Sequence, residues 1–289
     1  MNIDALLVKK LIAEQFPKWR DLPINPVAIH GWDNRTFHLG QEMLVRLPSN
    51  EDYAPQILKE YQWLPKLSKH LSYQITTPVA LGHPNAEYPW HWSINGWIEG
   101  ETASIQRVSN MNQFAHDLGQ FLTELQSIDS TNGPEAGTHN FHRGAALSAY
   151  DHEMQMAIPK IKDSRERTIA ARLWHDALAS DWENKPVWVH GDIATGNLLV
   201  REGKLCAVID FGLLSIGDPA CDLAIAWNFF TGESRETFKK SIVLDQNTWI
   251  RALGWTFWKA LCWPVKGMDV QRIIHDVYQE YQDIRNPRS

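Results

Sequence analysis

The chain has 289 residues, 44% apolar and 21% charged, with a formal net charge of −6; this is the balance of a globular protein with material for one large domain or two modest ones. The negative charge argues against a nucleic acid or an anionic membrane as partner, and no run approaches the ~18 apolar residues of a membrane helix. Cys206, Cys221 and Cys262 are odd in number and form no Cys-x-x-Cys, and the N-terminus lacks a basic segment followed by an apolar run, so a reduced, cytoplasmic setting is expected.

Leu6, Leu7, Leu11 and Ile12 stand at helical spacing and predict a helix over 4–16, ended by Pro17, Pro23 and Pro26. From Val27 the period becomes that of strands. Val27 to Leu39 reads as two strands around a tight turn near Gly31 to Asn34, and Met43 to Pro48 as a third strand. Alternation places Val45 and Leu47 on one face of that strand and Leu44 with Arg46 on the other. A lone charge in an apolar strand needs a partner, unless the strand lies at an edge and the arginine in solvent. Ile57, Tyr61 and Leu64 form a helical stripe over 55–70, with Pro65 expected to break or bend it. Glu60 flanks that stripe, placed either to reach Arg46 or to face water. Thr76 to Leu81 reads as a strand, and Pro89 to Gly100 as another running into a hinge.

After Gly100 the pattern turns helical. Phe114, Leu118, Phe121, Leu122, Leu125 and Ile128 fit one long amphipathic helix, and Asn132 to Asn140 a loop. Helices are expected at 145–158, 165–181, 222–230, 233–242, 247–262 and 269–282. The loop pair His139 and His142 has no acidic or cysteine ligands spaced around it. Most of the 14 tryptophans fit a core. Trp227, Trp255, Trp258 and Trp263 are alternatively placed to wall a pocket.

Between these helices lies the stretch from Val187 to Leu223. Three short apolar runs, 187–189, 198–200 and 205–209, read as buried strands, the last two joined as a hairpin by Arg201-Glu-Gly-Lys204. Polar clusters sit where the strands end: His190-Gly191-Asp192, then Asn197, then Asp210-Phe-Gly212, then Asp218-Pro-x-x-Asp222. Phosphoryl transfer asks for such rigid positioning, with a carboxylate to orient an attacking hydroxyl and hard oxygen ligands for magnesium. Asp192 fits the first role; Asn197 and Asp210 fit the second. Asp222 is placed to cap the following helix.

His190-Gly-Asp192-x4-Asn197 followed by Ile209-Asp210-Phe-Gly resembles the catalytic and metal motifs of the aminoglycoside phosphotransferase family. The resemblance implies an α+β, two-lobed protein-kinase-like fold, with a small β-rich lobe over 1–98 and a larger, mainly helical lobe over 99–289. It implies ATP or GTP as phosphoryl donor, Mg²⁺, and a small-molecule hydroxyl as acceptor, with antibiotics of the aminoglycoside type in view. It further implies that Arg46 stands where many members carry lysine against the phosphates, that Glu60 holds Arg46, that Gly96 to Ile98 contact adenine by backbone, that Asp222 braces the catalytic loop, and that His190 braces it by a hydrogen bond. Small-metabolite kinases of the choline or homoserine type share the motifs, and an inactive nucleotide-binding protein is the remaining alternative. Residues 101–289 hold an excess of acids, and Asp218 near the motif suggests attraction of a cationic acceptor.

Overall fold

A computed structural model describes residues 2–27, 33–265 and 267–286. Helix α1 (Ala5–Gln15) starts where the Asp4 carboxylate accepts from the Leu7 amide, and it buries Leu7, Val8, Leu11 and Ile12. That stripe covers one face of an antiparallel sheet whose strands are β1 (Ile24–Pro26), β2 (Asn34–Leu39), β3 (Met43–Pro48), β5 (Pro78–Gly82) and β6 (Trp92–Gly96), in the order β1-β2-β3-β6-β5. Phe37, Leu39, Val45, Leu47, Tyr88, Trp92 and Ile94 complete this first core with α1. The turn expected near Gly31 falls mostly on 28–32, outside the described residues.

Helix α2 (Ala54–Leu67) packs on the other side of the sheet. Pro65 does not break it. It sits in the last turn, where only one backbone hydrogen bond is lost, and the helix closes two residues later. Strand β4 (Gln74–Ile75) leaves the first sheet and joins a second one, of order β4-β10-β9-β7, made with β7 (Glu101–Thr102), β9 (Leu198–Arg201) and β10 (Lys204–Val208). The strand expected over 76–81 is β5, which starts two residues later, after Thr76-Thr77 part it from β4.

The remaining chain is mainly helical: α3 (Met111–Ser127), α4 (Asp151–Ala157), α5 (Ser164–Leu178), α6 (Ile225–Asn228), α7 (Gly232–Ser241), α8 (Gln246–Cys262) and α9 (Val270–Arg285), with β8 (Val187–Val189) paired antiparallel to β11 (Ser215–Gly217). Side-chain carboxylates or amides of Asn110, Asp163, Asp245 and Asp269 cap α3, α5, α8 and α9. The helix expected over 145–158 is a 3₁₀ turn, Leu147–Tyr150, followed by α4, and that over 222–230 is a 3₁₀ stretch, Pro219–Ala224, followed by the short α6.

Helix α8 is the centre of the second core, with Trp249 to Trp258 buried on every side. One of those buried residues is Arg251, whose Nε donates to Asp218 Oδ2 at 2.6 Å; the two side chains are 3% and 7% exposed. Asp218 is thus consumed inside the protein, where it also accepts from the Ala220 amide, and is withdrawn from any solute. Replacing Arg251 by Leu leaves that carboxylate buried and uncompensated. Arg251→Leu is expected to lower the unfolding free energy by about 3–5 kcal/mol, read as a shift of the urea midpoint.

Candidate active site

The loop after β8 is built on backbone hydrogen bonds that end on one carboxylate. The amides of His190 and Gly191 donate to Asp222 at 2.7 and 2.8 Å. Asp222 is 1% exposed, and it lies within the 3₁₀ stretch instead of capping a helix. Gly191 has φ +85°, and a Cβ there would stand 2.6 Å from the Leu213 carbonyl oxygen, so the turn admits glycine alone. His190 is locked by its partners: Nδ1 accepts from the Asp192 amide and Nε2 donates to the Ile209 carbonyl. A carbonyl only accepts and an amide only donates, so the ring is the neutral Nε2–H tautomer and has no free nitrogen to serve as a base. Its ring packs on Phe211 at 4.5 Å, which ties the first motif to the second.

Asp192 emerges from this loop with its side chain 38% exposed. Asn197 Nδ2 donates to the Asp192 carbonyl at 2.9 Å and to its Oδ2 at 3.2 Å. Lys259 Nζ, from the last turn of α8, donates to Oδ1 at 2.9 Å. Burial works against the charge on Asp192, but the Lys259 ammonium, then the Arg143 guanidinium, bring its pKa down to about 2.

Across the β9–β10 hairpin the Ile209 amide donates to the Asn197 carbonyl, so Asn197 and Asp210 sit at the same end of the ladder. Asp210 has φ +64°. A non-glycine residue in that region is held there by its surroundings, and such strain collects at functional sites. Arg46 lies on β3, a central strand, and is 8% exposed, so the edge-strand alternative does not apply. Its Nη1 donates to both oxygens of Glu60, at 2.9 and 2.7 Å, and its Nη2 to Asp210 Oδ1 at 2.9 Å. The three surrounding carboxylates, Glu60, Asp210 and Asp33, hold the guanidinium charged. Burial first, and the Asp210 charge second, push Asp33 up to about 6.

That excess of negative charge over one guanidinium is what a cation would relieve. Asn197 has spent its amide nitrogen on Asp192, and its amide oxygen carries no hydrogen bond among the described residues. Asn197 and Asp210 therefore fit a magnesium ion, which takes few ligands from protein and the rest from phosphate and water. Among the described residues no three His, Cys, Asp or Glu side chains are grouped to hold a metal by themselves.

The segment expected to meet adenine is less open. The Gly96 amide donates to the Thr77 carbonyl and the Trp97 amide to the Glu42 carbonyl. Ile98 is buried in a small apolar cluster with Leu199 and Ala207, flanked by Ile209. On the opposite side of Asp192, Arg143 lies over the rings of Trp258, Trp255 and Tyr150. Of the four tryptophans named as a wall, Trp227, Trp255 and Trp258 are buried and Trp263 is 61% exposed.

The profile of the phosphotransferase enzyme family matches residues 24–259. The chain belongs to this family. An aminoglycoside 3'-phosphotransferase of Escherichia coli is 30% identical over 157 residues, 52% of this chain and 56% of that enzyme, so the chain spans little more than half the length of this relative. Among solved structures, the GDP complex of wild-type aminoglycoside 2'-phosphotransferase-IIIa superposes with a TM-score of 0.73 at 16% identity, covering 98% of this chain and 97% of that one. The macrolide 2'-phosphotransferase of Brachybacterium faecium gives 0.64 at 18% identity, with 99% of each chain covered. The chain thus has the two-part, kinase-like fold of these structures, β-rich first and helical after.

Asp33 falls inside the stretch read as a turn, near Gly31 to Asn34. Two further residues of the site carried no sequence signal. Lys259 lies on a helix read only as apolar. Lys59 precedes Glu60, and its Nζ meets His139 Nδ1 at 3.3 Å, bridging α2 to the loop after α3. Each meets its partner across a long separation in sequence.

Two expectations follow for stability. Removing the guanidinium in Arg46→Met strands buried Glu60 beside Asp210 and Asp33, and the urea midpoint is expected to fall by an amount equal to about 3–5 kcal/mol, with Arg46→Lys falling less because it keeps the charge. Burial brings the Lys59 pKa down from 10.5 to about 8. The folded state then releases this proton before the unfolded state does, so the unfolded chain binds more protons between those values and stability rises with pH across that window. Urea titrations of wild type and Lys59→Met at pH 8 to 10 are expected to diverge, the wild type gaining on the variant as pH rises; a constant difference contradicts the assignment.

Proposed function

We propose that this phosphotransferase moves the γ-phosphoryl group of ATP or GTP to a hydroxyl of a small molecule, an aminoglycoside-type antibiotic or similar. The observation that carries the reading is the convergence of Asp192, Asn197 and Asp210, at the ends of three short strands, upon a charged Arg46–Glu60 pair. Small-molecule phosphotransfer in the named relatives supports the same chemistry. Residues 1–98 form the nucleotide lobe in this reading and residues 99–289 the acceptor lobe, and the need for a nucleoside triphosphate places the protein in the cytoplasm.

Asp192 orients the acceptor hydroxyl and takes its proton as the oxygen attacks the phosphorus; the bond from phosphorus to the leaving diphosphate breaks, and the proton passes to solvent. A carboxylate with so low a pKa is a weak base. That suits a loose transition state, in which positioning matters more than early proton removal. Asn197 and Asp210 would hold Mg²⁺, which when bound neutralises charge on the phosphates. Arg46, anchored by Glu60, faces the same charge. Gly96 to Ile98 would border the base, with the half-buried Ile209 beside them over the cluster of Ile98, Leu199 and Ala207.

The test is a phosphoryl-transfer screen with Mg-ATP and Mg-GTP over aminoglycosides, macrolides and amino alcohols. Transfer to at least one class is expected, with Asp192→Ala reducing turnover by roughly 10²–10⁴-fold and Asp210→Asn weakening calorimetric Mg-nucleotide affinity. Wild-type turnover in Asp192→Ala sinks the mechanism.

A further inference from the structure

Asp192 is gripped from two sides, and only one grip comes from its own loop. Asn197 steadies Oδ2 from five residues away. The hold on Oδ1 comes from Lys259, 67 residues on, at the end of α8. Lys259 follows a run of buried residues, and its side chain is 17% exposed. An ammonium in that setting must find an acceptor or reach water. The acceptor it finds is Asp192, whereas Glu153 Oε2 accepts from the indole N–H groups of Trp258 and Trp263. Arg143 is stacked on aromatic rings and does not occupy the Lys259 position.

Nor is α8 free to drift. Two turns before Lys259, Arg251 is paired to Asp218, and the 3₁₀ stretch that Asp218 caps carries Asp222, the acceptor of the His190 and Gly191 amides. The helix is therefore fastened to both flanks of the catalytic loop. We infer that Lys259 is a positioning residue for phosphoryl transfer: it pins Asp192 by Oδ1 so that Oδ2 is presented to the acceptor hydroxyl. The inference rests on the role of Asp192 proposed above. A carboxylate torsion is otherwise broad and roughly two-fold, and holding it before reaction removes an ordering cost from the barrier.

The test follows ADP release from Mg-ATP by the full chain, with kanamycin and with water as acceptors, in wild type, Lys259→Met, Lys259→Arg and Asp192→Ala. Lys259→Met is expected to lower kcat about 10–100-fold, the scale of a misplaced catalytic group, while KM for ATP and the calorimetric affinity for Mg-ADP stay within about twofold of wild type. Lys259→Arg, which keeps a donor and a charge, is expected to regain a measurable part of the lost kcat. Lys259→Met with wild-type kcat, alongside an impaired Asp192→Ala, overturns the inference and leaves the role of Asp192 standing. Equal losses in both lysine variants, with Mg-ADP affinity falling in step, also overturn it and mark Lys259 as a packing residue. Wild-type turnover in Asp192→Ala instead overturns the reading on which the inference rests.

Discussion

One guanidinium answers to three carboxylates, and the rest of the site is arranged around that imbalance. Arg46 comes from the first sheet, Glu60 from α2, and Asp210 from the hairpin of the second sheet, so a single buried charge fastens three elements that share no strand pairing at that point. Buried ion pairs are weak sources of net stability, because desolvation offsets attraction. Their use here is geometric. Arg46 cannot leave without stranding Glu60, and Asp210 cannot turn away without giving up a charged hydrogen bond. Asp33, pushed up to about 6 by burial and by Asp210, records that the cluster still holds more negative charge than the arginine balances.

The loop after β8 is restrained by a different principle. Its shape depends on backbone amides, which any sequence supplies, directed at the one side chain that must be acidic, Asp222. His190 then spends both ring nitrogens within the loop and the neighbouring strand end. The result is that Asp192 is held in place with its side chain 38% exposed. Strain at Asp210 is consistent with the same economy of motion: a residue kept at positive φ by its neighbours has few alternative conformations to visit.

The acceptor side differs from what charge counting suggested. The acidic excess of the helical part does not translate into an exposed acidic surface at Asp218, because that carboxylate is internal and paired. The groups that do border Asp192 include the cations Lys259 and Arg143, the second lying on tryptophan and tyrosine faces. Only Trp263 of the four tryptophans is open to a ligand. The surroundings of Asp192 are thus mixed in charge and partly aromatic.

The motif residues Asp192, Asn197 and Asp210 were legible in the sequence because Asp192 and Asp210 follow apolar strand runs and Asn197 precedes one, and local periodicity places all three at strand ends. Arg46 was legible for a related reason: a charge on the inner face of a strand demands a partner, and Glu60 stood on the next helix. What the sequence determined by itself was therefore local order, namely which runs are strands, where the α8 apolar stretch lies, and which short-range residues share an end. It did not reveal that residues 74–75 pair with the hairpin and not with the first sheet, or that Lys259 meets Asp192; that Asp222 serves the loop 31 residues earlier came from the motif resemblance and not from local periodicity, which offered it only as a helix cap. Those pairings join residues far apart in the chain, and no periodicity encodes which distant partner a side chain will meet. Only the tertiary packing decides them, because burial turns an ordinary lysine or aspartate into a group that must be satisfied wherever the fold delivers it.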